Sequence, residues 1–288
     1  MNSQRLALVC DSGCDVPQEY VDAYNIHVIP LNLIYPDGTY KSGADITTEQ
    51  VIQRFATDVP TTSLPSPMDI ENILNKVEAE GYDQALYIGL SSTLSSTSQT
   101  VRMVGRMMEN LEVHIVDTKN IGLGAGMSVI AAGQMLEAGM DADAIIARLE
   151  KLVDVTALYF VTDTLEYLHR GGRISDTTYR LGTALNIKPV ITCAPDGSYV
   201  TAKKTRGLDR AIRAEVSMIN SRMEGFSRVR IGISCTKQAD FVDDIKKQLK
   251  ARMGNIESII TGDISAALVV HTGPKLVGIC AQPDWRDL

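Results

Sequence analysis

The sequence predicts an α/β protein made of two α/β lobes with a ligand cleft between them. Short apolar runs alternate with helix-length segments along the whole chain, the pattern of strands joined by helical crossovers. The length of 288 residues accommodates two medium domains. Two successive helical segments, 121–138 and 141–152, are followed by a fresh apolar run at 156–162, which sets the seam. Residues 1–155 are therefore assigned to an N-terminal lobe and 156–288 to a C-terminal lobe.

Each element has a local reason. LALVCDS (6–12) reads as a buried first strand, and Pro17 suits the start of a short helix over 17–24. HVIPLNLIY (27–35) reads as one strand, turned back by PDGTY. Thr47 followed by Gln50 is a capping-box signature opening the next helix. TTSLPSPMD reads as a loop and 67–80 as a helix. A strand at 84–92, a helix at 95–110 and the strand VHIVD complete the first lobe's sheet.

Beyond the seam come a short helix to His169, the turn GGRIS and a helix over 176–184. A strand pair (187–193, 198–203), a helix (207–223), a strand (229–235) and a helix (237–253) follow. SIITG and LVGICAQ read as strands, whereas AALVVHTGP is ambiguous.

Composition excludes several classes. A net charge of −7 argues against nucleic-acid binding. No apolar run approaches the roughly 20 residues needed to span a bilayer. The start, MNSQRLALVCDSG, lacks the long apolar stretch and cleavage site of a secretory signal, so a cytoplasmic protein is expected. The scattered Cys10, Cys14, Cys193, Cys235 and Cys280 suit buried thiols rather than a disulfide framework or a metal site. There is no Walker-type phosphate loop, H-E-x-x-H or G-x-S-x-G. Gly122, Gly124 and Gly126 lack dinucleotide-binding spacing and read as close helix packing.

Chemistry concentrates in loops near strand ends: Asp11 to Asp15, Thr61 to Ser66, Ser91 to Thr97, and Asp117 to Lys119. Hydroxyls at a helix N-terminus combine side-chain donors with free backbone N–H groups, a ready site for a carboxylate or phosphate. The same residues also serve as helix caps. One such loop favours capping, and three bring an anion site level with it. Arg173, in a tight turn, fits a solvated charge as well as a functional one. His271, entering a turn after an apolar run, more commonly marks a structural position.

Taken together, these segments resemble the DegV family of bacterial fatty-acid-binding proteins. Asp11-Ser12-Gly-Cys-Asp15-Val-Pro17 resembles D-S-x-x-D-L-P, and Thr62-Ser63-Leu-Pro65-Ser66 resembles T-S-Q-P-S. Ser91 to Thr97 resembles S-S-x-L-S-G-T, and Asp117-Thr118-Lys119 resembles D-S-K. Thr164 to Ser175 resembles D-T-L-E-Y-L-x-x-G-G-R-I-S, and His271 to Pro274 resembles the start of H-x-G-P-G. Each match is weak alone; their order and spacing over nearly the whole chain are specific.

The resemblance implies a long-chain fatty acid held between the lobes. Thr62 and Ser95 would bond its carboxylate, Ser63, Ser96 and Thr97 would add donors, and His271 would lie beside the head group. It further implies a non-enzymatic acyl carrier that needs no cofactor or metal. The carrier would present the carboxylate to a separate fatty acid kinase subunit, which makes acyl phosphate for phospholipid synthesis. Arg173 and Arg206 would face that kinase. A monomer is expected, with room for transient membrane contact. Two departures stand out: Ser96 replaces a usual Gly, and Lys275 replaces the Gly after H-x-G-P. The competing readings are a stand-alone enzyme acting on a small anion through the Ser91–Thr97 loop, and a lipid-sensing regulatory module.

Overall fold

A computed structural model describes residues 2–184, 187–236 and 239–288. The chain starts with β1 (Leu6–Asp11), a 3₁₀ turn (Ser12–Cys14) and α1 (Gln18–Ala23). Next are β2 (His27–Ile29), β3 (Asn32–Tyr35), β4 (Gly38–Lys41) and α2 (Thr48–Arg54). They lead to β5 (Thr61–Ser63), α3 (Pro67–Ala79), β6 (Gln84–Gly89), α4 (Thr97–Gly105) and β7 (Glu112–Asp117). Two helices, α5 (Leu123–Glu137) and α6 (Ala142–Val155), precede β8 (Ala157–Thr162), α7 (Glu166–Arg170) and α8 (Asp176–Ala184). The rest comprises β9 (Lys188–Cys193), β10 (Tyr199–Thr205), α9 (Leu208–Arg222), β11 (Val229–Cys235) and α10 (Ala239–Arg252). It closes with β12 (Ile256–Gly262), α11 (Ala266–Thr272), β13 (Leu276–Pro283) and a 3₁₀ turn.

Three sheets result. An all-parallel sheet runs β2-β1-β6-β7. A mixed sheet runs β10-β9-β8-β13-β11-β12, in which β11–β12 is the parallel pair. A small antiparallel sheet runs β4-β3-β5. Buried side chains of α3 and α4 cover one face of the parallel sheet, with Ile70, Leu74 and Val101 among them. Helix α5 lies between the two large sheets and is buried almost all round. Its glycines permit that approach: a Cβ on Gly126 would fall 2.4 Å from the Cys14 carbonyl oxygen.

The sequence-based elements are corrected at four places. The stretch 27–35 is two strands in two sheets, because Pro30 supplies no N–H and the chain turns there. Thr61–Ser63, expected in a loop, pairs with β3 through Leu33 opposite Thr62, a position that suits β-branched threonine. The helix expected from residue 95 begins at Thr97 and ends at Gly105. The ambiguous 266–274 segment is helix α11, a buried span ending at Gly273 with φ 77°. Of the helix expected over 237–253, residues 237 and 238 lie outside the described residues.

The Thr47 capping box is present, with Gln50 N donating to Thr47 Oγ1 and Thr47 N to Gln50 Oε1. All five cysteines are free. Burial pushes the Cys193, Cys235 and Cys280 thiols up to about 12.

Although α11 comes late in the chain, it packs on α2 and reaches β3 and β5. Thr48 Oγ1 donates to the Ile264 carbonyl (2.6 Å), and Ala267 N donates to Ser42 Oγ (3.1 Å). One apolar core therefore joins early residues such as Leu31 and Leu90 to late ones such as Phe160 and Leu268. Among the described residues, no helix is long and apolar enough to cross a membrane.

Candidate binding site

The loop after β6 is fixed from below by Asp11. This buried carboxylate accepts from Gly13 N (2.8 Å), Tyr87 OH (2.7 Å) and Leu90 N (3.1 Å). Burial nonetheless raises its pKa, against the pull of those bonds. Asp117, at the end of β7, accepts from Ser92 N (3.2 Å), Ser92 Oγ (2.5 Å) and Lys119 N (2.9 Å). From the other side, Ser91 Oγ donates to the Gly197 carbonyl (3.0 Å) and Thr93 Oγ1 to the Asp196 carbonyl (2.5 Å). Both sheets thus hold the 91–97 loop in place. Its tip brings Ser95 Oγ within 2.9 Å of Thr97 Oγ1.

Opposite this loop stand β5 and the C-terminal end of α11. Their side chains meet where His271 Nε2 lies 2.7 Å from Thr62 Oγ1. Together with the loop they enclose a cavity of about 280 Å³. Thr62, Ser63, Ser92, Thr93, Ser95, Ser96, Arg173 and His271 supply its polar wall, and Leu31, Leu90, Ile121 and Leu268 its apolar wall. Burial, then the neighbouring Arg173 charge, lowers the His271 pKa to about 3. The imidazole is neutral at ordinary pH, and its Nδ1 is buried without a partner.

Most of the expected head-group residues share this cavity: Thr62, Ser63, Ser95, Ser96 and His271. Thr97 does not line it; it is buried and reaches the cavity through Ser95. Thr62 and Ser63 lie in a strand, and Ser96 sits at the N-cap of α4 without a side-chain capping bond. Side-chain capping falls to other residues, among them Thr47 for α2 and Ser66 for α3.

The two arginines expected to face a partner line different depressions. Arg173 is half-buried in the cavity wall, where its terminal nitrogens donate to the carbonyls of Gly171 (2.6 Å) and Leu94 (2.9 Å). Arg206 is exposed and lines a groove of about 620 Å³ with Lys203, Lys204, Arg210, Arg213 and Arg252. Lys275 lies within 3.9 Å of Asp163, outside the cavity wall.

Sequence reasoning missed the role of Gly171. It is not a left-handed cap; a Cβ there would lie 2.0 Å from His271 Nδ1, so the glycine leaves room for the ring. It also missed Tyr199, which closes the cavity from the far sheet.

A narrow slot of about 40 Å³ adjoins the cavity and shares Ile121, Tyr199, Leu268 and Thr272 with it as walls. Its walls include Leu123, Leu158, Phe160, Ile264, Leu276 and Cys280. The hydroxyl end suits an anion, and the slot's lining suits hydrocarbon. Among the described residues no cluster of His, Cys, Asp or Glu could hold a metal ion.

Comparisons with known proteins agree with this geometry. The model of the DegV family, described as uncharacterised proteins, matches residues 5–284. A DegV domain-containing protein of Clostridium acetobutylicum is 33% identical over 276 residues, 96% of this chain and 98% of the relative. A DegV family protein from Thermus thermophilus, solved as a fatty-acid-binding protein, is 31% identical. It superposes with a TM-score of 0.90 over 98% of this chain and 100% of its own. A stearic-acid-binding protein from Eubacterium ventriosum shares the fold, with a TM-score of 0.89 at 20% identity, over 98% of this chain and 100% of its own.

Proposed function

The chain belongs to the DegV family, and on that premise we propose that it binds a long-chain fatty acid and presents the carboxylate to a separate fatty acid kinase subunit. That subunit makes acyl phosphate for phospholipid synthesis. The observation that carries the reading is a hydroxyl-lined cavity set against an apolar slot, with four wall residues common to both.

The energetics divide the work. Sixteen methylenes offer about 13 kcal/mol on burial at about 0.8 kcal/mol each, before association costs of several kcal/mol or more. The tail supplies affinity and the head supplies orientation. With the ring proton on Nε2, His271 donates to Thr62 Oγ1 and frees the Thr62 proton for the carboxylate. Ser95 does the same while Thr97 holds it, and Ser63 and Ser96 add donors at the rim. Arg173 lends positive field; carbonyls take one N–H from each of its terminal nitrogens, which leaves three of its five donors. The neutral hydroxyls orient the carboxylate without neutralising it. Its oxygen attacks the γ-phosphorus of ATP on the partner, a C–O–P linkage forms, and ADP leaves. The groove around Arg206 offers an acidic partner a docking face, in keeping with its six cations.

Native mass spectrometry of freshly purified protein, followed by lipid extraction, tests the binding step. A mass excess of one fatty acid, recovered as the free acid, is expected. Protein that is empty and also refuses added fatty acid overturns the reading.

A further inference from the structure

The slot's far wall is not all hydrocarbon. Asp15, from the turn after β1, and Ser234, near the end of β11, both line it beyond the four shared residues. Both side chains are more than nine-tenths buried, at 8% and 6% exposure. Asp15 Oδ1 accepts from Ser265 N (3.0 Å). Asp15 Oδ2 and Ser234 Oγ are buried with no partner in hydrogen-bonding geometry. Two residues with unpartnered polar atoms therefore line a passage otherwise built from side chains such as Leu123, Phe160 and Leu276.

Such a pair is costly to cover with hydrocarbon. A saturated tail that reaches them strips off water and returns no hydrogen bond. A hydroxyl on the tail both donates and accepts, so it can bond Ser234 or Asp15. Burial raises the Asp15 carboxyl to about 8, against the pull of its Ser265 contacts, so at neutral pH it is mostly the uncharged acid. In that form it offers an O–H as well as an acceptor.

We propose that Asp15 and Ser234 form a polar subsite at the far end of the acyl slot, which selects fatty acids bearing a hydroxyl on the distal part of the chain. This rests on the fatty-acid reading above and names the ligand class within it.

The test is a competition assay with delipidated full-length protein. Stearate is compared with 10-, 12- and 18-hydroxystearate. At least one hydroxystearate is expected to bind about fivefold or more tightly than stearate, the scale of one added hydrogen bond. In Ser234→Ala that ratio should fall to about one. Stearate binding with no hydroxyl preference in the wild type overturns the subsite and leaves the fatty-acid reading standing. A preference that survives Ser234→Ala overturns the assignment to this wall. Failure of all four acids to bind sinks the parent reading instead.

Discussion

The central cavity and the groove around Arg206 are both polar depressions, yet they differ in the kind of group they present. The cavity offers neutral hydroxyls, an uncharged imidazole and one half-buried guanidinium, and it leads into hydrocarbon. The groove offers six cations, none of which forms an ion pair with another described residue, on a chain of net charge −7. The first suits one carboxylate with a buried tail, through directional donors shielded from salt. The second suits an extended acidic surface, through a field that salt screens. Charge density separates holding a ligand from meeting a partner.

The contrast breaks most severely at Gly171. Its backbone touches the His271 ring, so Gly171→Val should displace the imidazole and uncouple it from Thr62. Fatty-acid affinity should fall about 100-fold, or about 2.7 kcal/mol, with thermal stability lowered as in other overpacked sites. Titration calorimetry and a melting curve read both effects; wild-type affinity in this variant would remove His271 from the head-group site.

Thr62→Ala and Ser95→Ala come next. Each should weaken binding by about 1 to 3 kcal/mol through a lost charge-assisted bond. Unchanged affinity in both would place the carboxylate elsewhere.

The pH dependence sharpens the same end of the comparison. His271 has a lowered pKa in the fold, about 3, so the unfolded chain binds more protons between there and about 6.5. Its stability contribution is complete above about 6.5 and is lost as pH falls, at up to about 1.4 kcal/mol per pH unit. Denaturant titrations of wild type and His271→Asn at pH 7, 6 and 5 should show the wild type losing more. Parallel losses would mean an ordinary histidine.

The smallest effect is expected at the groove. Reversing charge at Lys204, Arg206 and Arg210 together should leave fatty-acid affinity within about twofold, since exposed charges far from a ligand are screened. The same variant should lose acyl phosphate formation with a cognate kinase. Weakened lipid binding there would mean that the two depressions are coupled.

Much of this was legible in the residues. The capping box at Thr47, the buried strands and the hydroxyl loops each carry a local signal, because turn and cap chemistry acts over a few residues. The place of Arg173 in the cavity wall was not legible from its motif. What holds it in the cavity wall is the Leu94 carbonyl, 79 residues earlier in the chain. The reason for Gly171, room for the His271 ring, lies 100 residues away in the chain.

By itself, then, the sequence determined the α/β class, most elements and which loops carry donors, since periodicity and turn chemistry are local properties. The folded chain decided that 27–35 divides between two sheets, that α11 crosses to meet α2 and β5, and that Thr62 meets His271 across 209 residues. It also decided that Asp15 and Ser234 share a wall. Those outcomes depend on which apolar faces bury one another, and burial couples residues that no local pattern connects.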